Sequence, residues 1–341
     1  MTPALTWSVV ELRLKHVFTI ARGSRSVVPT VIVQLSHDGI TGYGEASPLA
    51  RYGESVDTVA RFLGRVGPAV LGDPSDPDAL LDRVGSLEPG NASAKASVDI
   101  AIHDWIGKRR GVPTWKYFGI DRPDAPASSI TIGIDSPGVV ERKVREADAF
   151  GILKVKMGVP GDREFIRTVR KFTSKPLRVD ANEGWKTKEE ALEALLWLRD
   201  LGVELVEQPL PAGNPDAVAW LKARAGIPLY ADEDFSRHDD LGAIAGAYDG
   251  VNIKLMKSTG LREARKIIGT AHGLGLKIMI GCMIETSVGI SAAAQISPMA
   301  DVTDLDGCLL VSNDPFRGAV APDGTIRLND LPGIGVTREA R

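Results

Sequence analysis

Cysteine is scarce in this chain: Cys282 and Cys308 are the only two in 341 residues. They stand at no zinc-site spacing and sit among apolar neighbours, which argues against a disulfide-stapled scaffold or a thiolate metal centre and predicts two buried, reduced thiols. Long apolar runs are missing as well; none approaches the ~20 residues that cross a bilayer. The opening MTPALTWSVVELRLKHVF alternates polar and apolar residues where a signal peptide would have a continuous apolar centre. A cytoplasmic protein with no membrane partner is therefore expected. Basic residues form no stripe, and a formal net charge of -3 gives a phosphate backbone nothing to follow, so nucleic acid is not an expected partner.

What the chain does have is an ordinary globular composition, 43% hydrophobic and 25% charged, without the apolar depletion of disordered sequences. At 36.4 kDa it exceeds the size at which one core stops growing, and two domains are expected. Residues 7–15 and 30–35 alternate as half-buried strands do, and Asp38-Gly39 supplies a hairpin turn. Ser55 then heads one helical stretch, and another runs from an Asn91 cap to Gly111, with Pro113 beyond. Residues 1–122 read as an α+β domain.

After the Pro-rich joint DRPDAPASS the pattern changes, and 123–314 reads as short apolar strands alternating with helices. The strands are ITIGI, ILKVKMG, LRVDAN, VELVEQP, PLYADE, GVNIKLMK, KIMIGCM and DVTDLDG. Lys154, Asp180, Glu207, Asp232, Lys254, Gly281 and Asp304 fall near successive strand ends, 22 to 27 residues apart. That even spacing predicts a (β/α)8-type TIM barrel. Residues 315–341 return to turn-rich, strand-like sequence expected to pack back toward the first domain.

Strand ends in such a barrel converge on one mouth. Asp180, Glu207 and Asp232 would present three carboxylates there, and like charges that close repel unless a cation neutralises them. Oxygen ligands alone suit Mg2+ better than zinc. A single Asp ending a strand is usually a turn or cap residue; three in consecutive units weaken that explanation. Asn182, Glu183, Glu233 and Asp234 are expected to cap helices or to hydrogen-bond to the ligands. Lys154 and Lys156 precede Asp180 by one strand, and Lys254 follows Asp232 by one, on opposite sides of the metal. A lysine beside another ammonium and a dication has its neutral form favoured, so Lys156 is the candidate base and Lys154 the neighbour that tunes it. Two lysines on opposite faces imply inversion at a carbon next to a carboxylate.

The run of KVK, DANEGW, EQPL, ADED and NIKLMKSTG, in that order, resembles the muconate-lactonizing-enzyme subgroup of the enolase superfamily over nearly the whole chain. The resemblance implies a modified (β/α)7β barrel under an N-terminal α+β capping domain, with Mg2+ on Asp180, Glu207 and Asp232. It makes Lys156 and Lys254 the acid-base pair, Lys154 the support of Lys156, and Lys257 either structural or a residue behind the ligands. In TDLDG, Asp304 and Asp306 resemble the pair with which dipeptide epimerases hold a free α-ammonium; a solvated turn explains the same spacing equally well. The segments TIARGSRSVV and SPLARYGES resemble epimerases acting on L-Ala-D/L-Glu, so Arg22, Arg25, Arg51 or Tyr52, together with Met283, are assigned to the substrate. Met256 departs from the Asp that some acidic-dipeptide epimerases carry.

The implied function is a Mg2+-dependent dipeptide epimerase serving recycling of cell-wall peptides. Its partner is a small dipeptide, and the sequence admits a homo-oligomer without specifying one. Alternatives with the same machinery are o-succinylbenzoate synthase, N-acylamino acid racemase or a cycloisomerase. A Schiff-base aldolase using one lysine and a non-catalytic binding barrel are the alternatives of other classes.

Overall fold

A computed structural model describes residues 2–20, 23–121 and 123–339. The chain opens with three antiparallel strands, β1 (Ala4–Ile20), β2 (Gly23–His37) and β3 (Ile40–Ala46). Asp38 and Gly39 turn β2 into β3 with φ of 48° and 74°, the paired positive values a two-residue hairpin needs. Five helices follow: α1 (Val56–Leu63), α2 (Pro68–Leu71), α3 (Pro77–Ser86), α4 (Ala92–Arg110) and α5 (Thr114–Tyr117). Ser55 caps α1, accepting from Thr58 N at 3.2 Å while Thr58 Oγ1 accepts from Ser55 N at 2.9 Å.

Helix α4 is buried on every side from Ser93 to Gly107 because it lies between the sheet and the barrel. Gly42 and Gly44 let it approach β3 this closely: a Cβ on Gly44 would stand 1.9 Å from Ser97 O. The expected Asn91 cap is corrected. Asn91 directly precedes α4 in a left-handed conformation, but its side chain donates to Pro89 O at 3.1 Å and caps nothing. Gly111 ends the helix at φ 68°, as expected.

The remaining strands are β4 (Ile130–Ile132), β5 (Leu153–Lys156), β6 (Leu177–Asp180), β7 (Val203–Glu207), β8 (Leu229–Ala231), β9 (Gly250–Lys254), β10 (Lys277–Gly281), β11 (Val302–Asp304), β12 (Phe316–Arg317) and β13 (Thr337–Arg338). Strands β4 to β11 pair in chain order, all parallel. A bridge between Ser128 and Thr303 joins the start of β4 to β11 and closes the ring. Around it lie α6 (Pro137–Glu146), α7 (Asp162–Phe172), α8 (Lys188–Asp200), α9 (Pro215–Ala225), α10 (Leu241–Ile244), α11 (Leu261–Ala271) and α12 (Ser287–Ala294). The expected TIM barrel with an N-terminal cap is what the chain forms. Outward residues such as Val155, Val179 and Ile253 are buried under the helices.

The cap reaches over the barrel mouth through the β1–β2 hairpin. Leu14 bridges Val311, and Thr19 O accepts from Ile134 N at 3.3 Å. The C-terminal segment closes on the first domain: Thr114 N donates to Gly333 O at 2.8 Å, and Ile334 N to Asp104 Oδ1 at 2.9 Å. Among the described residues no helix is long and apolar enough to cross a membrane.

Candidate metal and acid-base site

Parallel register brings the strand-end residues side by side. Lys156 lies opposite Asp180 and Asp180 opposite Glu207, while Gly281 lies between Lys254 and Asp304. One carboxylate oxygen from each of Asp180, Glu207 and Asp232 lies within 4.8 Å of the others, and all three residues are buried. Three acidic side chains removed from water need compensating charge. Lys154 Nζ lies 2.7 Å from Glu207 Oε2 and 3.4 Å from Asp180 Oδ2. Lys156 Nζ lies 2.6 Å from Asp180 Oδ2, and Lys254 Nζ 2.7 Å from Asp232 Oδ2. Lys257 is fully buried and holds Asp232 through both its carboxylate and its carbonyl oxygen, the latter at 2.6 Å.

This crowding sets the protonation preferences. Burial alone would raise Asp180 and Asp232, but the ammoniums of Lys156 and Lys154 on one, and Lys254 and Lys257 on the other, hold both below the usual carboxylate range. Glu207 goes the other way, pushed up to about 6 by burial and then by Asp180. Lys154 and Lys254 sit among carboxylates. Burial would lower both, but Asp304, Glu207 and Asp180 around Lys154, and Asp232 and Glu207 around Lys254, hold them well above the free value. Asp180, Glu207 and Asp232, which help keep these lysines charged, are also the carboxylates offered to a cation. A donor set of three convergent carboxylates is all hard oxygen, the kind Mg2+ takes.

Asp304 and Asp306 come together beside this cluster in different surroundings. Asp304 is engaged by Lys154 at 2.6 Å and Ser129 Oγ at 2.7 Å; burial would raise it, and Lys154 brings it below the usual value. Asp306 accepts Thr131 N at 2.6 Å and is pushed up to about 6, by burial first and Asp304 second. Both line a cavity of about 360 Å3 that also reaches Lys154, Lys156 and Lys254.

Arg25, Arg51, Tyr52 and Met283 line the same cavity. Arg51, however, spends its planar fork on Glu183, with Nε 3.1 Å from Oε2 and an Nη 2.8 Å from Oε1, and so ties the capping loop to the barrel. Arg22 lies outside the described residues. Met256 is buried, with its sulfur 3.4 Å from Ser47 N.

Of the loop residues, Asn182 reaches a candidate ligand directly, while Asp234 bonds to neighbouring loop and helix groups. Asn182 N donates to Asp180 Oδ1 at 2.9 Å, and Asp234 accepts Tyr248 Oη and Gly213 N, each at 2.6 Å. Sequence reasoning missed Gln208. Its Oε1 accepts from the backbone N–H groups of Asp232 and Asp234 at 3.1 Å each, so the residue after one candidate ligand positions the next. It also missed Asn252, which donates to Glu207 Oε1 at 2.8 Å from the strand face it shares with Lys254; that two-residue offset was the available signal. Glu45 of β3 had none: buried, it accepts Thr286 N and Thr286 Oγ1 at the start of α12, 2.9 and 2.6 Å away, and joins cap to barrel.

Comparison with known proteins agrees with this geometry. Residues 4–119 match the family described as mandelate racemase / muconate lactonizing enzyme, N-terminal domain, and residues 139–340 match the enolase C-terminal domain-like family. The chain is 48% identical over 335 residues to the L-Ala-D/L-Glu epimerase of Bacteroides thetaiotaomicron, covering 98% of this chain and 88% of that protein. Among solved structures, the substrate-liganded L-Ala-D/L-Glu epimerase of Bacillus subtilis superposes with a TM-score of 0.93 at 30% identity, covering 99% of both chains. The dipeptide epimerase of Enterococcus faecalis complexed with Mg and L-Leu-L-Tyr superposes with a TM-score of 0.92 at 29% identity, covering 99% of this chain and 100% of that one.

Proposed function

Because the chain belongs to the mandelate racemase / muconate lactonizing enzyme family of the enolase superfamily, we propose that it is a Mg2+-dependent dipeptide epimerase with L-Ala-D/L-Glu as its substrate. The observation that carries this reading is the placement of Lys156 on β5 and Lys254 on β9. In the ring β4 to β11 these strands are four apart, so the lysines face each other across the mouth. Between them lie Asp180, Glu207 and Asp232, which would hold the metal. Bound there, Mg2+ supplies the positive charge that stabilises a substrate carboxylate as its neighbouring carbon becomes electron-rich.

The rest is proton transfer by the chain's own groups. One lysine, as the neutral amine, takes the α-proton of the C-terminal residue; the electron pair of the broken C–H bond stays on the substrate. The opposite lysine then donates a proton to the other face, and the configuration inverts. Lys154 links Glu207 to Asp304 and keeps the acidic cluster compact. Asp306, an ion above about pH 6, meets the dipeptide's free ammonium. That pairing favours a dipeptide over the N-acylated or cyclic substrates of related enzymes, which have no ammonium to offer. Arg25, on the cavity wall, is the guanidinium assigned to the acidic side chain. An enzyme of this specificity would act on peptides released from cell walls.

Incubation of L-Ala-L-Glu with Mg2+ in D2O tests the reading: deuterium should enter the glutamate Cα as the D-epimer accumulates. Lys156→Ala and Lys254→Ala should each abolish epimerisation. Epimerisation that survives both substitutions would refute the two-lysine mechanism.

A further inference from the structure

The two edges of the cap's three-stranded sheet are treated differently. At β3 the edge is taken up by α4, where Tyr43 N donates to Asp104 Oδ2 at 2.7 Å. At β1 only part of the edge is used. Arg13 N donates to Asn313 Oδ1, Ser312 N donates to Arg13 O, and Asn313 Nδ2 donates to Glu11 O, each at 2.8 Å. Odd-numbered residues of β1 therefore turn their backbone groups away from β2, and Glu11 accordingly lies opposite Pro29, which has no N–H to give. The register with β2 is unbroken from Ala4 to Arg13, so Leu5, Trp7 and Val9 face outward in the same way. Among the described residues nothing pairs with their outward N–H and C=O groups. Side chains do not guard this stretch either. Residues 4–10 read ALTWSVV, without a charge or a proline, and 6–9 are exposed on both faces of the sheet, Trp7 by 37% and Val9 by 51%. Soluble proteins blunt a bare edge with lysine, proline or a bulge unless another strand covers it.

We infer that a second copy of this chain covers the edge, with β1 pairing antiparallel to the partner's β1 about a twofold axis at Trp7. The free groups set the register. Odd residues must face odd residues, because only these turn their backbone groups outward. Leu5 against the partner's Val9, and Trp7 against the partner's Trp7, satisfies every outward N–H and C=O of the three residues. A shift of two residues one way sets Leu5 against the partner's Glu11, whose carbonyl Asn313 already holds. The opposite shift sets Val9 against the partner's Pro3, which has no N–H. The free row is thus bounded on both sides and self-complementary about its middle residue, as a contact between identical patches requires. The same register joins Leu5, Trp7 and Val9 of the two copies into one apolar row, on the face where Leu5 packs against the buried core of the cap. Since both copies use the same patch, pairing through it closes at two chains.

Light scattering on the full-length protein should give a discrete mass at least twice that of one 36.4-kDa chain. Val9→Pro removes an outward N–H and leaves the ladder to β2 intact. Trp7→Lys changes only an exposed side chain and sets two like charges opposite each other at the axis. Each substitution should halve the mass with far-UV circular dichroism unchanged; if Val9→Pro fails to fold, Trp7→Lys decides. Cross-linking reads the register. Thr6 would face the partner's Ser8 in a non-hydrogen-bonded pair, with Cα atoms ~4.5 Å apart and within reach of a disulfide. Co-expressed Thr6→Cys and Ser8→Cys chains should therefore give, on oxidation, a cross-linked dimer that neither variant gives alone, which also controls for Cys282 and Cys308. A monomeric wild type would overturn the inference, as would open-ended aggregates or a mass unchanged by both substitutions. Cross-linking as strong in the separate variants as in the pair would overturn the register.

Discussion

Replacing Lys257 by Met removes one ammonium and keeps nearly the same apolar volume. In the folded protein Lys257 is wholly buried, and its Nζ is shared among the Asp232 carboxylate, Asp232 O at 2.6 Å and Phe235 O at 3.0 Å. Removing one partner of a buried ion pair typically costs about 3–5 kcal/mol, because the other charge stays buried. Two effects place this case at the lower end. Burial already disfavours the Lys257 ammonium, so the wild type bears a desolvation cost that the variant lacks. Asp232 also keeps Lys254, 2.7 Å from its other oxygen. We therefore expect a loss of about 3 kcal/mol in urea unfolding of the EDTA-treated protein, against less than about 0.5 kcal/mol for Lys171→Met on the exposed face of α7. Calorimetry should show weaker Mg2+ binding by the variant, since Asp232 loses the contact that holds both its side chain and its carbonyl. A stability loss below about 1 kcal/mol would refute the assigned value of these bonds, and unchanged Mg2+ affinity would refute the positioning of Asp232 by Lys257.

Gly44→Ala should destabilise the protein by about 3 kcal/mol, since the new Cβ meets the Ser97 carbonyl 1.9 Å away and must push α4 from β3; unchanged thermal unfolding would refute that close approach. Asp99 accepts Leu261 N at 2.6 Å at the start of α11, and burial raises it from 3.8 to about 7. Its proton is held more tightly in the folded chain, so this stability contribution is complete below about pH 4 and is lost as pH rises through 7. Asp99→Asn cannot ionise and should gain on the wild type by up to about 4 kcal/mol between pH 4 and 8, from ~1.4 kcal/mol per pH unit; a difference in unfolding free energy that stays constant with pH would refute it. Asp306→Asn should raise KM for L-Ala-L-Glu at least tenfold at pH 8, and wild-type KM should rise as pH falls below about 6, where the carboxylate takes up its proton. A KM that stays flat from pH 5 to 8 would contradict the ammonium contact.

Much of this architecture was legible in the chain because it is built from repeats of a local rule. Short apolar strands ending in a polar residue every 22 to 27 positions specify parallel βα units, and the C-terminal ends of such units share one mouth. Asp180, Glu207, Asp232, Lys154, Lys156 and Lys254 could therefore be assembled from their positions alone. Asn91 misled because a residue of the right type in the right place can still point its side chain elsewhere, here to Pro89 O. Arg51 was legible as a mouth residue, but its partner was not: Glu183 is 132 positions away, and only the docking of cap on barrel brings the two together.

By itself, then, the sequence determined strand order, the polar groups at each strand end and the sign of charge they carry, since these follow from residue type and period. Tertiary structure decided which groups share a charge. It gave Asp304 to Lys154 and left Asp306 on a backbone N–H, although the two are alike in sequence. It also enlisted Gln208, Asn252 and Glu45, whose partners lie on other strands or in the other domain. The physical reason is that hydrogen bonds and ion pairs depend on distances of a few ångströms between side chains, and those between residues remote in sequence exist only once the barrel has closed and the cap has docked.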